Sequence, residues 1–210
     1  MSEALSVRAK IEKRIKHAPK GKLYILSDFD NIADYNSLKT NVRNLVKDGT
    51  LDKVYSGIYM KPNYSDFLGM YLLPDVYELS KTYARKFNWT ITPSGSTALN
   101  MLGLDTQVPA RINYISTGPT KKVKFGNREV QFRHKVLRDS NYSEPSALLI
   151  EGLKTYRKAH GESSITDIVL QTINKRITDE QFNIIERDVT NTRAWIRDAI
   201  KRMKELRDNQ

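Results

Sequence analysis

The stretch NLVKDGTLDKVYSGIYMKP, residues 44–62, ends one hydrophobic period and begins another. Leu38, Val42, Leu45 and Val46 recur at helical spacing until Asp48-Gly49 stops them. Leu51, Val54 and Ile58 then stand among polar residues in the manner of strands, and Pro62 closes the run. One element cannot carry both periods, because side chains repeat every 3.6 residues on a helix and every second residue on a strand. A helix must therefore hand over here to a short basic hairpin.

The residues before that junction supply two further helices. Residues 6–17 are amphipathic, with Val7, Ile11 and Ile15 on one face and Arg8, Lys10, Lys13, Arg14 and Lys16 elsewhere. The PKGK run at 19–22 breaks that helix, and a short apolar stretch, Leu23 to Leu26, follows. Ser27 reads as the N-cap of a brief helix through Ala33, and Asp34 or Asn36 opens the helix that runs to Lys47. Strands are expected near 52–55 and 58–61, joined through Ser56-Gly57. Helix, helix, helix, hairpin predicts a winged helix-turn-helix over residues 1–62, with Pro62-Asn63 as the linker.

The expected fold class is α+β, with residues 63–210 forming a second domain that is a mixed sheet to about 138 and helical beyond. A helix is expected from Asp75 to Lys86, then strand character at Trp89-Thr90-Ile91 and a Pro-Ser-Gly turn into a short helix, Thr97 to Leu102. Arg111 to Ser116 alternates as a strand. Lys121–Phe125 and Arg128–His134 read as a hairpin around Gly126-Asn127. Pro145 begins a helix that ends at Gly161, Ser163 or Ser164 caps the next, and Thr178 with Gln181 forms a capping box. Thr190 opens a final basic helix, Trp195 to Leu206.

Charge points toward an anionic partner. Thirty-five Lys and Arg against 24 Asp and Glu leave a net +11. If Leu38, Val42 and Leu45 face inward, Asn36, Ser37, Lys39, Thr40, Arg43, Asn44 and Lys47 are left outward or flanking. These are donors suited to base edges and phosphates, and Lys53, Tyr55 and Lys61 on the hairpin would straddle the adjacent backbone. The plainer reading is a solvated helix face beside a structural hairpin. A second cluster holds Lys121, Lys122, Lys124, Arg128, Arg133, His134, Lys135 and Arg138, with Tyr114, Phe125 and Phe132 interspersed. Such aromatics either stack nucleobases or form the buried face of a half-exposed sheet. The last helix carries Arg193, Arg197, Lys201, Arg202, Lys204 and Arg207, a solvated face or a dock for an acidic partner.

Little in the sequence suggests catalysis, a cofactor or a metal. The chain has no cysteine, and His17, His134 and His160 lie far apart without metal-ligand spacing. Asp28 and Asp30 sit where acids favour a helix dipole. PSGST at 93–97 is a turn followed by a helix cap, not a phosphate-cradling loop. No catalytic residue, cofactor or metal ligand is expected. No apolar run reaches the roughly 20 residues that span a bilayer, and MSEALSVRAKIEKRIK lacks a signal core. A cytoplasmic protein without a membrane partner is expected.

SGIYMKP, followed by TPSGSTALNMLGLDTQVPARINYISTGPTKKVKFGNREVQFRH at 92–134, resembles the AbiEi-like antitoxins of bacterial abortive-infection toxin–antitoxin systems. The resemblance covers about residues 7–175, and Pro93-Ser94-Gly95, Asn100, Leu102-Gly103-Leu104, Thr106 to Ala110, Gly118-Pro119 and Gly126-Asn127-Arg128 carry it. It implies an N-terminal winged helix that binds operator DNA and represses its own operon. It also implies an antitoxin domain acting against a nucleotidyltransferase-like toxin, in some members without direct contact. On that implication, Lys121, Lys122, Lys124, Arg128, Arg133 and Arg138 are the expected antitoxin surface. The alternative from another class is an RNA-binding accessory protein that uses the same basic sheet.

Overall fold

The structure, a computed structural model, describes residues 5–135 and 142–209. The fold is α+β, and contacts divide it into one unit that ends at Asn88 and another that begins at Trp89.

In the first unit, α1 (Val7–Lys16) starts at Ser6, whose Oγ accepts the Ala9 amide at 3.2 Å. Strand β1 (Leu23–Tyr24) follows, then a single 3₁₀ turn, Leu26–Phe29. That turn replaces the helix expected from Ser27 to Ala33. Asp28, not Ser27, supplies the cap by accepting the Ile25 amide at 2.9 Å, and Phe29 is drawn into the core against Tyr24, with ring centroids 5.4 Å apart. Helix α2 (Tyr35–Lys47) starts where Asp34 Oδ1 accepts the Asn36 and Ser37 amides at 3.0 and 3.1 Å. It stops at Gly49, whose φ of +77° suits the left-handed conformation that commonly ends helices. Ile11, Ile15, Phe29, Leu38, Val42, Leu45 and Leu51 form one buried core under both helices.

Strands β2 (Asp52–Tyr55) and β3 (Ile58–Met60) form the expected hairpin. β3 lies between its neighbours in the order β1-β3-β2, with Leu23 and Asp52 both opposite Met60. Two elements here were not anticipated from sequence: β1 itself and a second hairpin, β4 (Tyr64–Ser65) with β5 (Met70–Tyr71). Helix α3 (Val76–Lys86) belongs to this unit, so the division falls after Asn88 and not at Pro62-Asn63. The reason is tertiary. Arg85 pairs with Asp28, Lys86 Nζ donates to the Ser56 carbonyl at 2.7 Å, and α3 packs on β1.

The second unit begins with β6 (Ile91–Pro93), α4 (Ser96–Met101) and β7 (Arg111–Ser116). The expected hairpin, β8 (Lys121–Phe125) and β9 (Arg128–His134), joins them in a sheet ordered β6-β7-β9-β8, with β9 parallel to β7. Helices follow: α5 (Glu144–His160), α6 (Asp167–Asn174), α7 (Asp179–Asp188) and α8 (Ala194–Asp208). Leu149, Leu153, Leu170, Ile173, Ile185, Ile200 and Met203 anchor their shared core. Thr166 caps α6, because Ser163 and Ser164 are held in a separate 3₁₀ turn. The Thr178–Gln181 capping box of α7 is present, with reciprocal bonds of 3.0 and 3.2 Å. Arg193, not Thr190, precedes α8, since Val189–Asn191 form a turn of their own.

Among the described residues no helix is long and apolar enough to cross a membrane.

Candidate nucleic-acid interface

Burying Leu38, Val42 and Leu45 at 0% exposure dictates what α2 shows to solvent. At about 100° per residue, Asn36, Lys39, Thr40, Arg43, Asn44 and Lys47 share an arc of roughly 140° on the opposite side. All six are exposed, while Ser37 is half-buried and gives its carbonyl to Asn41 Nδ2 at 2.9 Å. The helix contains no acidic residue. Asp48, just past its end, is taken by Arg8 at 2.5 Å and held below the usual carboxylate range, first by the Thr50 hydroxyl, then by the Thr50 amide and Arg8. Among the described residues, Lys39, Arg43 and Lys47 have no ion-pair partner. The result is a face of cations and amides, with no acid of its own helix, on a helix packed against the core from below.

The hairpin contributes less than the sequence suggested. Lys53 is exposed on the edge strand β2, without an ion-pair partner among the described residues. Tyr55 is half-buried, its ring edge-on to Tyr83 of α3 at 5.7 Å. Lys61 is half-buried, and its Nζ donates to the Lys16 and Ala18 carbonyls at 2.9 and 2.7 Å, so it caps the end of α1. The structure thus commits Tyr55 and Lys61 to the fold. Residues that the sequence does not assign to the interface do gather beside Lys61: Lys13, Lys16, His17 and Lys20, with Glu12 among them, line a shallow cleft at the end of α1. The regular basic spacing on α1 is the signal that could have found them.

In the second unit, Lys121, Lys122, Lys124, Arg128 and Arg133 are exposed along β8 and β9, and Arg138 lies outside the described residues. The cluster is not free of acids. Lys124 stands opposite Glu129, which itself pairs with Arg111. Tyr114, Phe125 and Phe132 are 2%, 6% and 0% exposed, with Tyr114 stacked on Phe132 at 5.7 Å. These aromatics are core. The cations of α8 are also engaged: Arg202 with Asp167, Lys204 with Glu186 at 2.8 Å, and Arg207 with Asp179 at 2.6 Å.

The motif that carries the family resemblance is structural where the structure describes it. Asn100 Nδ2 donates to the Asp105 and Gln107 carbonyls at 3.1 Å each, and Thr97 Oγ1 accepts the Asn113 amide at 2.9 Å. Gly118 is pinned under Trp89, where any Cβ would lie 2.1 Å from the ring.

A family model described as a family of unknown function, DUF6088, matches residues 10–185. The chain belongs to that family. No curated protein matches it. Among solved structures, the crystal structure of the RV2827C protein from Mycobacterium tuberculosis is similar at a TM-score of 0.42 and 15% identity, over 99% of this chain and 83% of that one.

Among the described residues, no group of three or more His, Asp or Glu could hold a metal ion. A cleft of about 420 Å³ against α3 brings Asp75, Glu78, Lys81 and Arg85 together. All four already serve the fold, since Asp75 caps α3, Lys81 pairs with Glu78 at 2.6 Å, and Arg85 holds Asp28.

Proposed function

We propose that the first unit is a winged helix-turn-helix that reads duplex DNA with the outward face of α2, and that the protein is an antitoxin that represses its own operon. The observation that carries the DNA reading is the face of Asn36, Lys39, Thr40, Arg43, Asn44 and Lys47, which holds no acid of its own helix and has no ion-pair partner among the described residues. Arg and Lys suit guanine edges and phosphates, Asn suits adenine, and Thr suits either. The order helix, strand, turn, helix, hairpin supports the winged assignment, with β2–β3 as the wing. The antitoxin role, directed at a nucleotidyltransferase-like toxin, rests on the resemblance of residues 92–134 and on no geometry. RNA binding through the middle sheet loses its stacking platform, because the sheet's aromatics are buried.

Titrating the full chain against its own promoter duplex, a scrambled duplex and RNA tests the reading. Preference for the promoter is expected, with affinity falling steeply as salt rises because neutralised phosphates release counterions. Equal affinity for scrambled duplex would remove sequence reading, and a preference for RNA would favour the alternative. Antitoxicity is tested separately by cell growth under toxin expression. Combined Lys121→Glu, Lys122→Glu and Lys124→Glu should weaken protection and leave promoter repression intact. Full protection by that variant would exclude β8 as the antitoxin surface.

A further inference from the structure

The first unit has a second exposed feature, and it is apolar. In the β4–β5 hairpin Tyr64 stands opposite Tyr71 and Ser65 opposite Met70, with the tyrosine rings packed edge-on at 5.1 Å. Strands this short are not stable alone in water, and among the described residues neither has another sheet neighbour. Phe67 is 96% exposed and Leu73 88%, and Leu68, Met70 and Tyr71 are each more than half exposed. With an aromatic side chain offering 150–250 Å², the patch leaves on the order of 700 Å² of apolar-residue surface in water. That exceeds the few hundred Å² usual on a monomer. Two such patches together match a standard interface of about 1,200–2,000 Å².

Charge selects the occupant. Exposed strand edges are usually guarded by lysine, proline or a bulge. Residues 64–73, YSDFLGMYLL, carry one charge, Asp66, in a chain of net +11. Across most of its surface one copy repels another; on this stretch it does not. A two-fold interface brings the same patch of each copy against itself, and among the described residues the outer edges of this hairpin pair with no other strand. An acidic partner would be drawn to the basic surfaces instead.

We infer that the β4–β5 hairpin is the interface of a two-fold dimer of this chain, with Phe67 and Leu73 of each copy buried against the other. The inference stands apart from the DNA reading and is measured without DNA. Sedimentation velocity on the full chain should give the dimer mass. Phe67→Ser combined with Leu73→Ser should halve that mass while the far-ultraviolet circular dichroism stays unchanged. The absence of cysteine makes a second measurement clean. Leu68→Cys should form a covalent dimer on mild oxidation, and Lys122→Cys, on β8, should not. A parent that stays monomeric at the highest attainable concentration overturns the inference. So does a dimer that survives the double substitution without cross-linking at Leu68→Cys.

Discussion

Helices α2 and α8 are both basic, and they use their charge in opposite ways. On α8, Arg202, Lys204 and Arg207 reach acids on α6 and α7, and Arg207 also donates to Asn174 Oδ1 at 3.0 Å and lies over the Phe182 ring at 4.6 Å. On α2, Lys39, Arg43 and Lys47 reach nothing among the described residues. Counting cations would rank α8 as the stronger nucleic-acid candidate. Counting partners reverses that order, because a cation already neutralised by a neighbouring acid has little field left for a phosphate.

The largest effect that could sharpen this contrast lies beneath the α2 face. Leu45→Ala opens a cavity at a fully buried site and should cost about 2–5 kcal/mol of stability, read as a lowered denaturation midpoint. It would show that the face depends on its packed underside. Next is a crossed pair. Arg43→Ala should lose about 1–3 kcal/mol of promoter affinity with an unchanged melting temperature. Arg207→Ala should do the reverse: its side chain is 16% exposed, and removing a charged hydrogen-bond partner costs about 1.5–3 kcal/mol of stability. Should Arg207→Ala weaken DNA binding while Arg43→Ala does not, the contrast between the helices is broken.

Lys39→Ala is a smaller test. It should lower the magnitude of the salt slope by about one and barely change the folded state. The smallest effect concerns pH. Burial alone would raise the Asp188 carboxyl, but the Ser143 hydroxyl at 2.5 Å, the Ser146 hydroxyl at 2.7 Å and the Ser143 amide at 2.9 Å hold it below the usual range. A carboxyl lowered on folding contributes stability that is whole above its unfolded value of about 4 and is lost as pH falls through the folded one. The melting-temperature gap between the parent and Asp188→Asn should therefore close in acid. A gap that persists at low pH would show that the bonds do not depend on the ionised carboxylate.

Much of α2 is legible in the sequence, because its signals are local. Asp34, the spacing of Leu38, Val42 and Leu45, and Gly49 all act within one or two turns. The Thr178–Gln181 box and the Gly126-Asn127 hairpin are legible for the same reason. β1 is not, since two residues hold no alternation, and only pairing with Tyr59 and Met60 makes them a strand. The unit boundary is equally hidden. It depends on Arg85 meeting Asp28, 57 residues apart in the chain. Lys61 and Tyr55 look like outward contacts because their spacing on the hairpin is right. Their partners, Lys16, Ala18 and Tyr83, are supplied by other parts of the unit.

The isolation of the α2 face also bears on how the protein can change. Among the described residues, the side chains of Asn36, Lys39, Thr40, Arg43, Asn44 and Lys47 make no bond that the fold requires. Substitutions there leave the caps and the buried underside untouched, so a lineage can drift through these positions without passing through unfolded intermediates. On the proposed DNA reading, selection on what the face recognises is thereby uncoupled from selection on folding. Divergent members of the family would then differ most on this one arc of one helix.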